Sequence, residues 1–264
     1  MEVTNSFIPT AGVVGLLPMV TYFFLVVTMF AFIGNFIFAL STQSTVSSEH
    51  RVTHALTAII AVVAGASYYV IQSYYHSMLA ELATVTDIND RQTLIRESYN
   101  AIGQYRYMAW ALTTPLLLIQ IVSILKADLL VIKRQLVILL AASFFMVLAG
   151  YIGHQQLSFD NEILPGPKLI WGVISALGYV MMLLTLYRLW KQFGDQIPPS
   201  QQRTYQQIAL TIATFWGVYI LGYLLTVVDI DFNWIHSAYT IGDLIIYVGI
   251  GLLVYFRRLK PLEQ

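Results

Sequence analysis

Two side chains that could do chemistry interrupt the apolar stretch YTIGDLIIYVGIG, the carboxylate of Asp243 and the phenol of Tyr247. Residues four apart share one face of a helix, so both are expected to point the same way. A second charge, Arg106, begins the apolar stretch RYMAWALTTPLLLIQ. Because an unpaired charge in apolar surroundings is costly, we expect Arg106 and Asp243 to face each other. Such a pair can serve chemistry or only tether two helices.

The composition indicates a membrane protein. Hydrophobic residues make up 58% of the chain and charged residues only 11%, whereas soluble domains carry about 25% charged residues. The chain has no cysteine, which excludes disulfides, thiolate metal sites and cysteine nucleophiles. A net charge of zero gives no reason to expect a nucleic acid partner.

The apolar stretches predict an all-α, seven-transmembrane-helix bundle that forms a single domain over residues 1–264. Each stretch is near or above the roughly 20 residues that cross a bilayer as a helix. The N-terminal stretch lacks the basic segment of a signal peptide, so we expect a mature, short N-terminus. The segment with Pro198 and Pro199 is predicted to be a flexible linker. The predicted spans are about 12–40, 53–79, 101–125, 132–153, 167–190, 206–228 and 234–256.

The basic residues predict the orientation of the bundle, because cytoplasmic loops carry an excess of Lys and Arg. One side of the predicted bundle has Arg51, Lys126, Lys133, Arg134, Arg188, Lys191, Arg203, Arg257, Arg258 and Lys260. The other side has Arg91, Arg96 and Lys168. We therefore expect a multi-pass protein of the cell membrane with its N-terminus outside, its C-terminus in the cytoplasm and the lipid bilayer as a partner.

Motifs in three spans resemble those of the microbial (type 1) rhodopsins. The third span, RYMAWALTTPLLLIQ, resembles the third helix of that family, and FWGVY and GDLIIYVGIG resemble its sixth and seventh helices. The resemblance covers nearly the whole chain. It implies seven helices, an outer N-terminus and retinal held as a Schiff base on a lysine four residues after the seventh-helix aspartate.

The sequence departs from that family at the residues that carry its chemistry. The lysine position holds Tyr247, and a phenol cannot form an imine. The resemblance also implies that Ala109 replaces the pump's counterion and Gln120 its proton donor, whereas Thr113 is kept. We therefore expect no covalent retinal and no light-driven pumping. The five lysines lie at span ends, in loops or in the tail, namely Lys126, Lys133, Lys168, Lys191 and Lys260.

The losses leave a neutral buried site, with Arg106 opposite Asp243. Tyr247 fills the volume of the lysine. Its phenol could donate to the Asp243 carboxylate, or the ring could only pack.

The resemblance implies an aromatic pocket in what remains of the retinal site. Its residues could sandwich a retinal or carotenoid without a covalent bond, or they could form a collapsed core, which is the commoner role of aromatic stripes at helical spacing. The pocket residues are Trp110, Trp216, Tyr219 and Tyr223, with Trp171 nearby.

Gly172, in LIWGVIS, resembles the xanthorhodopsin-like branch, in which a small residue opens a window for a carotenoid. The alternative is that Gly172 only allows close helix packing. The second-helix histidine of that branch corresponds to Ser67.

Other chemistry finds little support in the sequence. His50 and His54, with Glu49, have the spacing of metal ligands, but a solvated helix start is the preferred interpretation and we expect no metal. No hydrolase triad is present, so we expect no enzyme. Three function classes remain. They are a homo- or hetero-oligomer subunit with rhodopsins or a scaffold, a noncovalent retinal or carotenoid binder with a sensory or carrier role, and a disfavoured passive ion pathway.

Overall fold

The computed structural model describes residues 9–48, 51–228 and 230–256, without the side chain of Val52. These residues form seven helices that are long and apolar enough to cross a membrane, which confirms the predicted all-α, seven-helix fold. The helices, called first to seventh below, are Leu16–Ser41, Arg51–Leu82, Ile88–Val122, Leu129–His154, Pro165–Phe193, Pro199–Leu225 and Phe232–Phe256.

The third helix begins well before the predicted span. It starts at Ile88, because the Asp87 carboxylate accepts hydrogen bonds from the backbone N–H groups of Asn89 at 2.8 Å and Asp90 at 3.2 Å. These bonds satisfy N–H groups that have no partner inside the helix. The predicted span, about 101–125, covers only the apolar part of this longer helix, since apolarity does not mark the polar turns at a helix start.

The predicted linker at Pro198 and Pro199 is shorter than expected. Pro199 is the first residue of the sixth helix, where its fixed φ suits the helix and its missing N–H costs nothing. Before it come a single 3₁₀ turn, Gly194–Gln196, and the buried side chain of Ile197. This connection is compact, so the expectation of a flexible linker was wrong.

The seventh helix changes its backbone geometry in the middle. It is α-helical up to Asp243, π-helical over Leu244–Gly249 and α-helical again over Ile250–Phe256. A π-helical segment bonds each N–H to a carbonyl five residues back and often occurs at functional sites. Tyr247 lies within this wider segment.

His54 is buried rather than solvated at the start of the second helix. Its Nε2 lies 3.1 Å from the carbonyl oxygen of Ala39, which ties the second helix to the end of the first. Glu49 and His50, the other residues of the metal site considered above, lie outside the described residues.

Candidate functional site

The third and seventh helices bring Arg106 and Asp243 together in the middle of the bundle. Nη1 of Arg106 lies 3.1 Å from Oδ2 of Asp243, and the two side chains are only 3% and 2% exposed. The expectation that these two charges face each other is confirmed. The pair is neutral as a whole, so neither charge is left uncompensated in the apolar interior.

The Asp243 carboxylate accepts four hydrogen bonds, which is about its full capacity. Oδ2 accepts from Arg106 and from the Tyr68 hydroxyl at 2.8 Å. Oδ1 accepts from the Trp110 indole at 3.0 Å and from the Tyr219 hydroxyl at 2.7 Å. Because all four partners donate, the site suits an ionised carboxylate. The second, third, sixth and seventh helices thereby meet at one side chain.

Two hydroxyl groups also accept hydrogen bonds from Arg106. Nη1 donates to the Tyr68 hydroxyl at 2.7 Å and Nη2 donates to the Thr240 hydroxyl at 2.8 Å. Tyr68 thus accepts from Arg106 while it donates to Asp243, and its ring also lies 5.2 Å from the guanidinium carbon. Sequence reasoning missed both Tyr68 and Thr240.

A periodic signal for Tyr68 was nevertheless present in the sequence. The second helix buries one stripe of side chains spaced three or four residues apart, which is the pattern of a helix face turned to the interior. Ser67 lies beside this stripe, and its hydroxyl donates to the backbone carbonyl of Tyr105 at 3.3 Å. Ser67 is therefore not among the four donors to the Asp243 carboxylate. The stripe consists of Ala61, Ala64, Tyr68, Ile71 and Tyr75.

Tyr247 forms a separate pair with Thr113. Their hydroxyl oxygens are 2.8 Å apart, and the Thr113 hydroxyl also lies 2.9 Å from the backbone carbonyl of Ala109. Since a carbonyl can only accept, Thr113 donates to Ala109 and Tyr247 donates to Thr113. The expectation that Tyr247 could donate to Asp243 was wrong, because four other donors already surround that carboxylate.

A small cavity lies beside Ala109, between the charged pair and Tyr247. Its volume is about 10 Å³, which is room for one water molecule at most. Asp243 is the only carboxylate among its described lining residues. They are Ala64, Ser67, Tyr68, Arg106, Ala109, Trp110, Thr113, Asp243 and Tyr247.

Gln120 holds the third helix against the second. Its side-chain amide donates to the carbonyl of Thr53 at 3.1 Å and to the hydroxyl of Thr57 at 2.8 Å. Gln120 is buried, so these bonds satisfy a polar group that would otherwise be costly in the interior.

The predicted pocket residues meet at one aromatic cavity, apart from Trp171. Trp110 stacks on Tyr219 with 4.9 Å between ring centroids, and Trp216 and Tyr223 also line the space. The cavity volume is about 80 Å³, smaller than an engineered cavity of about 150 Å³ that binds benzene. The half-buried Trp171 lies outside this lining. A full polyene would enter only if side chains moved.

Tyr223 closes the space at Gly172. A Cβ atom at Gly172 would lie 2.6 Å from Cε1 of Tyr223, so the glycine leaves room for this ring. The Tyr223 hydroxyl donates to the backbone carbonyl of Lys168 at 2.7 Å, which fixes the ring in place. Gly172 therefore allows close packing here, and the carotenoid window predicted from it is filled by Tyr223.

Lys168 lies in the first turn of the fifth helix, at a span end as predicted, but it is fully buried. Nζ lies 5.3 Å from the centre of the Tyr223 ring and has no hydrogen-bond partner among the described residues. Its burial was not predicted from the sequence.

Comparison with known proteins agrees with this architecture. Archaerhodopsin-2 of Halobacterium sp. (strain aus-2) is 22% identical over 192 residues, which cover 73% of this chain and 66% of that protein. Blue-light absorbing proteorhodopsin of Gamma-proteobacterium Hot 75m4 is 26% identical over 156 residues, 57% of this chain and 59% of that protein. The chain thus spans 66% and 59% of the lengths of these two relatives, less than two thirds in each case.

Solved structures share the fold at low sequence identity. A thermophilic rhodopsin has a TM-score of 0.75 and 24% identity, with 92% of this chain and 93% of that chain covered. Xanthorhodopsin, described as a light-driven ion pump with dual chromophore, has a TM-score of 0.74 and 19% identity over the same shares. The family described as bacteriorhodopsin-like protein matches residues 18–260. The chain therefore belongs to the bacteriorhodopsin-like protein family and is a multi-pass membrane protein.

Proposed function

We propose that this protein forms no retinal Schiff base at position 247, does not pump ions, and acts through protein contacts. In this role it is a subunit of a homo- or hetero-oligomer with rhodopsins, or a scaffold. The observation that carries the proposal is Tyr247, a buried phenol that donates to Thr113 and offers no amine to an aldehyde.

The surroundings of Asp243 support the absence of pumping. A proton pump needs groups that accept and release protons along a path, whereas Ala109 and Gln120 do not titrate. Asp243 is held by Arg106 and three further donors. No catalytic role is proposed for Asp243, because both of its carboxylate oxygens already accept hydrogen bonds from neighbouring helices.

The same contacts support a structural role. Four helices are joined through Asp243 by Tyr68, Arg106, Trp110 and Tyr219. This network holds the middle of the bundle together without a chromophore. The bundle can therefore present its outer surface to a partner whether or not a pigment is bound.

The test is to add all-trans retinal to the purified protein, record the spectrum and treat the sample with borohydride. We expect no visible band and no reduced adduct. Tyr247→Lys should gain an adduct, whereas the matched variant Tyr247→Phe should not. An adduct on the wild-type chain, mapped by mass spectrometry, would contradict the proposal.

Oligomer formation needs its own measurement. Co-expression with a tagged, lysine-bearing rhodopsin should bring this chain down with the tag, while a tagged membrane protein of another family should not. Native mass spectrometry of the wild-type protein alone tests the homo-oligomer. A monomer in both experiments would contradict the role as an oligomer subunit.

A second candidate function is noncovalent binding of retinal or a carotenoid, with a sensory or carrier role. The aromatic cavity favours it, because Trp110, Trp216, Tyr219 and Tyr223 line one space and aromatic side chains offer a large apolar contact area. Protein purified from cells supplied with both pigments should then release a pigment into organic solvent, without borohydride sensitivity. A colourless protein would favour the protein-contact role instead.

A further inference from the structure

The fifth and sixth helices are the least buried of the seven and are linked by three tyrosine hydroxyls. Their most apolar stretches are 22% and 28% buried, against 33–61% in the other five helices. The Tyr223 hydroxyl donates to Lys168, the Tyr179 hydroxyl donates to Ala213 at 2.6 Å and the Tyr205 hydroxyl donates to Leu186 at 2.8 Å, each to a backbone carbonyl. Openings therefore remain between these links.

One opening, here called the inner hollow, lies between the links made by Tyr179 and Tyr205. Leu186, Tyr205 and Ala213 line it, and Trp190 closes one end by stacking on Tyr205 with 5.4 Å between ring centroids. Its volume is about 280 Å³, near the lower end of the range for ligand pockets. It is separate from the aromatic cavity beside Trp216, with which it shares no lining residue.

The lining of the inner hollow suits a hydrocarbon chain. Apart from Gln206, the lining residues are aliphatic or aromatic. Two of them, Tyr187 and Leu210, are 58% and 68% exposed, so the hollow opens sideways at the surface of the bundle. In a membrane-spanning helix pair, that surface meets the acyl chains of the bilayer.

A cation stands beside this opening. Nζ of Lys191 lies 5.7 Å from the centre of the Tyr187 ring, and no ion pair with a carboxylate is formed by Lys191 in the described part of the chain. Arg188, three residues earlier, is also exposed. An apolar groove with the unneutralised Lys191 ammonium at its rim complements a molecule with a hydrocarbon chain and an anionic head.

We propose that the inner hollow binds one acyl chain of an anionic phospholipid, whose head group contacts Lys191. The charge selects the lipid class and the hollow selects a single chain. The site does not depend on the proposed absence of a Schiff base, because other residues form it and it faces the lipid.

Tryptophan quenching by brominated lipids tests the proposal. The full chain is reconstituted in phosphatidylcholine vesicles that contain either phosphatidylglycerol or phosphatidylcholine with brominated chains, at equal mole fraction. The difference in quenching between wild type and Trp190→Phe isolates the signal of Trp190. We expect brominated phosphatidylglycerol to occupy the site about fivefold more strongly, the effect of one basic residue near a membrane surface.

Matched variants separate the hollow from the bilayer around it. Lys191→Gln should abolish the preference for phosphatidylglycerol over phosphatidylcholine. Lys133 is another exposed lysine, and Lys133→Gln should leave this preference unchanged. Ala209→Phe fills the hollow and should abolish the Trp190 signal. Ala141→Phe, the same change at an exposed position of the fourth helix, should not.

Three outcomes would overturn the proposal. Equal quenching by both lipids, unaffected by Lys191→Gln, would mean that bulk lipid alone contacts Trp190. If neither lipid quenches Trp190 until the protein is diluted, a second copy of the chain covers the hollow. Native mass spectrometry gives a measurement that does not need Ala209→Phe to fold. In it, wild type and Lys133→Gln should retain a phosphatidylglycerol molecule that Lys191→Gln loses, and equal retention by all three would also overturn the proposal.

Discussion

The phenol oxygen of Tyr247 lies 2.8 Å from Oγ1 of Thr113. This contact separates position 247 from the carboxylate of Asp243, which is one α-helical turn away in sequence. The buried centre thus contains two independent hydrogen-bond networks, one charged and one neutral. Variants of the two networks should therefore have different consequences.

Removal of the buried carboxylate should destabilise the bundle strongly. Asp243→Ala leaves the Arg106 guanidinium without its countercharge, and we expect a loss of about 3–5 kcal/mol in the free energy of unfolding. The double variant with Arg106→Gln should recover part of this loss, because it removes the unpaired cation. The free energy of unfolding in mixed micelles is measured for the wild type, the two single variants and the double variant.

An exposed ion pair in the same protein provides the control for that cycle. Arg96 and Glu162 lie 3.7 Å apart, and the Glu162 side chain is 66% exposed. Glu162→Ala should cost less than about 1 kcal/mol. Additive effects of the two substitutions at Arg106 and Asp243 would show that they do not interact.

Loss of one hydroxyl group should test the bridging role of Tyr68. Tyr68→Phe removes both an acceptor for Arg106 and a donor to Asp243, so we expect a loss of about 1.5–3 kcal/mol. Tyr69→Phe changes the neighbouring, exposed tyrosine and should have almost no effect. Thermal unfolding followed by circular dichroism compares the two. Equal melting temperatures would contradict the bridge.

A glycine next to Asp243 makes room for one of its donors. A Cβ atom at Gly242 would lie 2.8 Å from Cε1 of Tyr219, so Gly242→Ala should push this ring away from the carboxylate. Overpacking of this kind costs about 1–3 kcal/mol. Gly34→Ala is the matched control, because a Cβ there meets no atom within 4 Å, and its stability should be unchanged or slightly higher. Thermal unfolding followed by circular dichroism compares the two variants. Equal melting temperatures would show that the Tyr219 ring moves freely.

Light absorption should be restorable in two steps. Tyr247→Lys supplies an amine, but Asp243 is shared with Arg106, so the imine has little negative charge nearby and should absorb mainly in the near ultraviolet. Adding Ala109→Asp supplies a second carboxylate, which favours the protonated imine and moves absorption into the visible. Spectra with all-trans retinal check both steps. If the folded double variant binds no retinal, the aromatic cavity is too small to open.

The fold was predictable because each span is long and apolar, whereas several helix ends were not. Hydropathy cannot detect the polar first turns of the third helix, which depend on capping by Asp87. It also treats Pro199 as a breaker, although proline is well suited to the first helical position.

The charged pair was predictable from the cost of burying Arg106 and Asp243. The hydrogen-bond partners of the pair were not predictable, because the rotation of each helix determines which of two adjacent polar side chains faces the pair. Ser67 and Tyr68 differ by one position, and only Tyr68 lies on the buried stripe. Tyr247 lies in a π-helical segment, for which the sequence carries no clear signal, and its contact with Thr113 was not predicted.

The ion pair at the centre of the bundle also has an electrical consequence. An elementary charge that crosses a potential of 100 mV exchanges about 2.3 kcal/mol with the field, but opposite charges that move together exchange almost nothing. Arg106 and Asp243, held 3.1 Å apart, form such a unit. As long as Arg106 and Asp243 move together, the membrane potential therefore exchanges almost no energy with this pair.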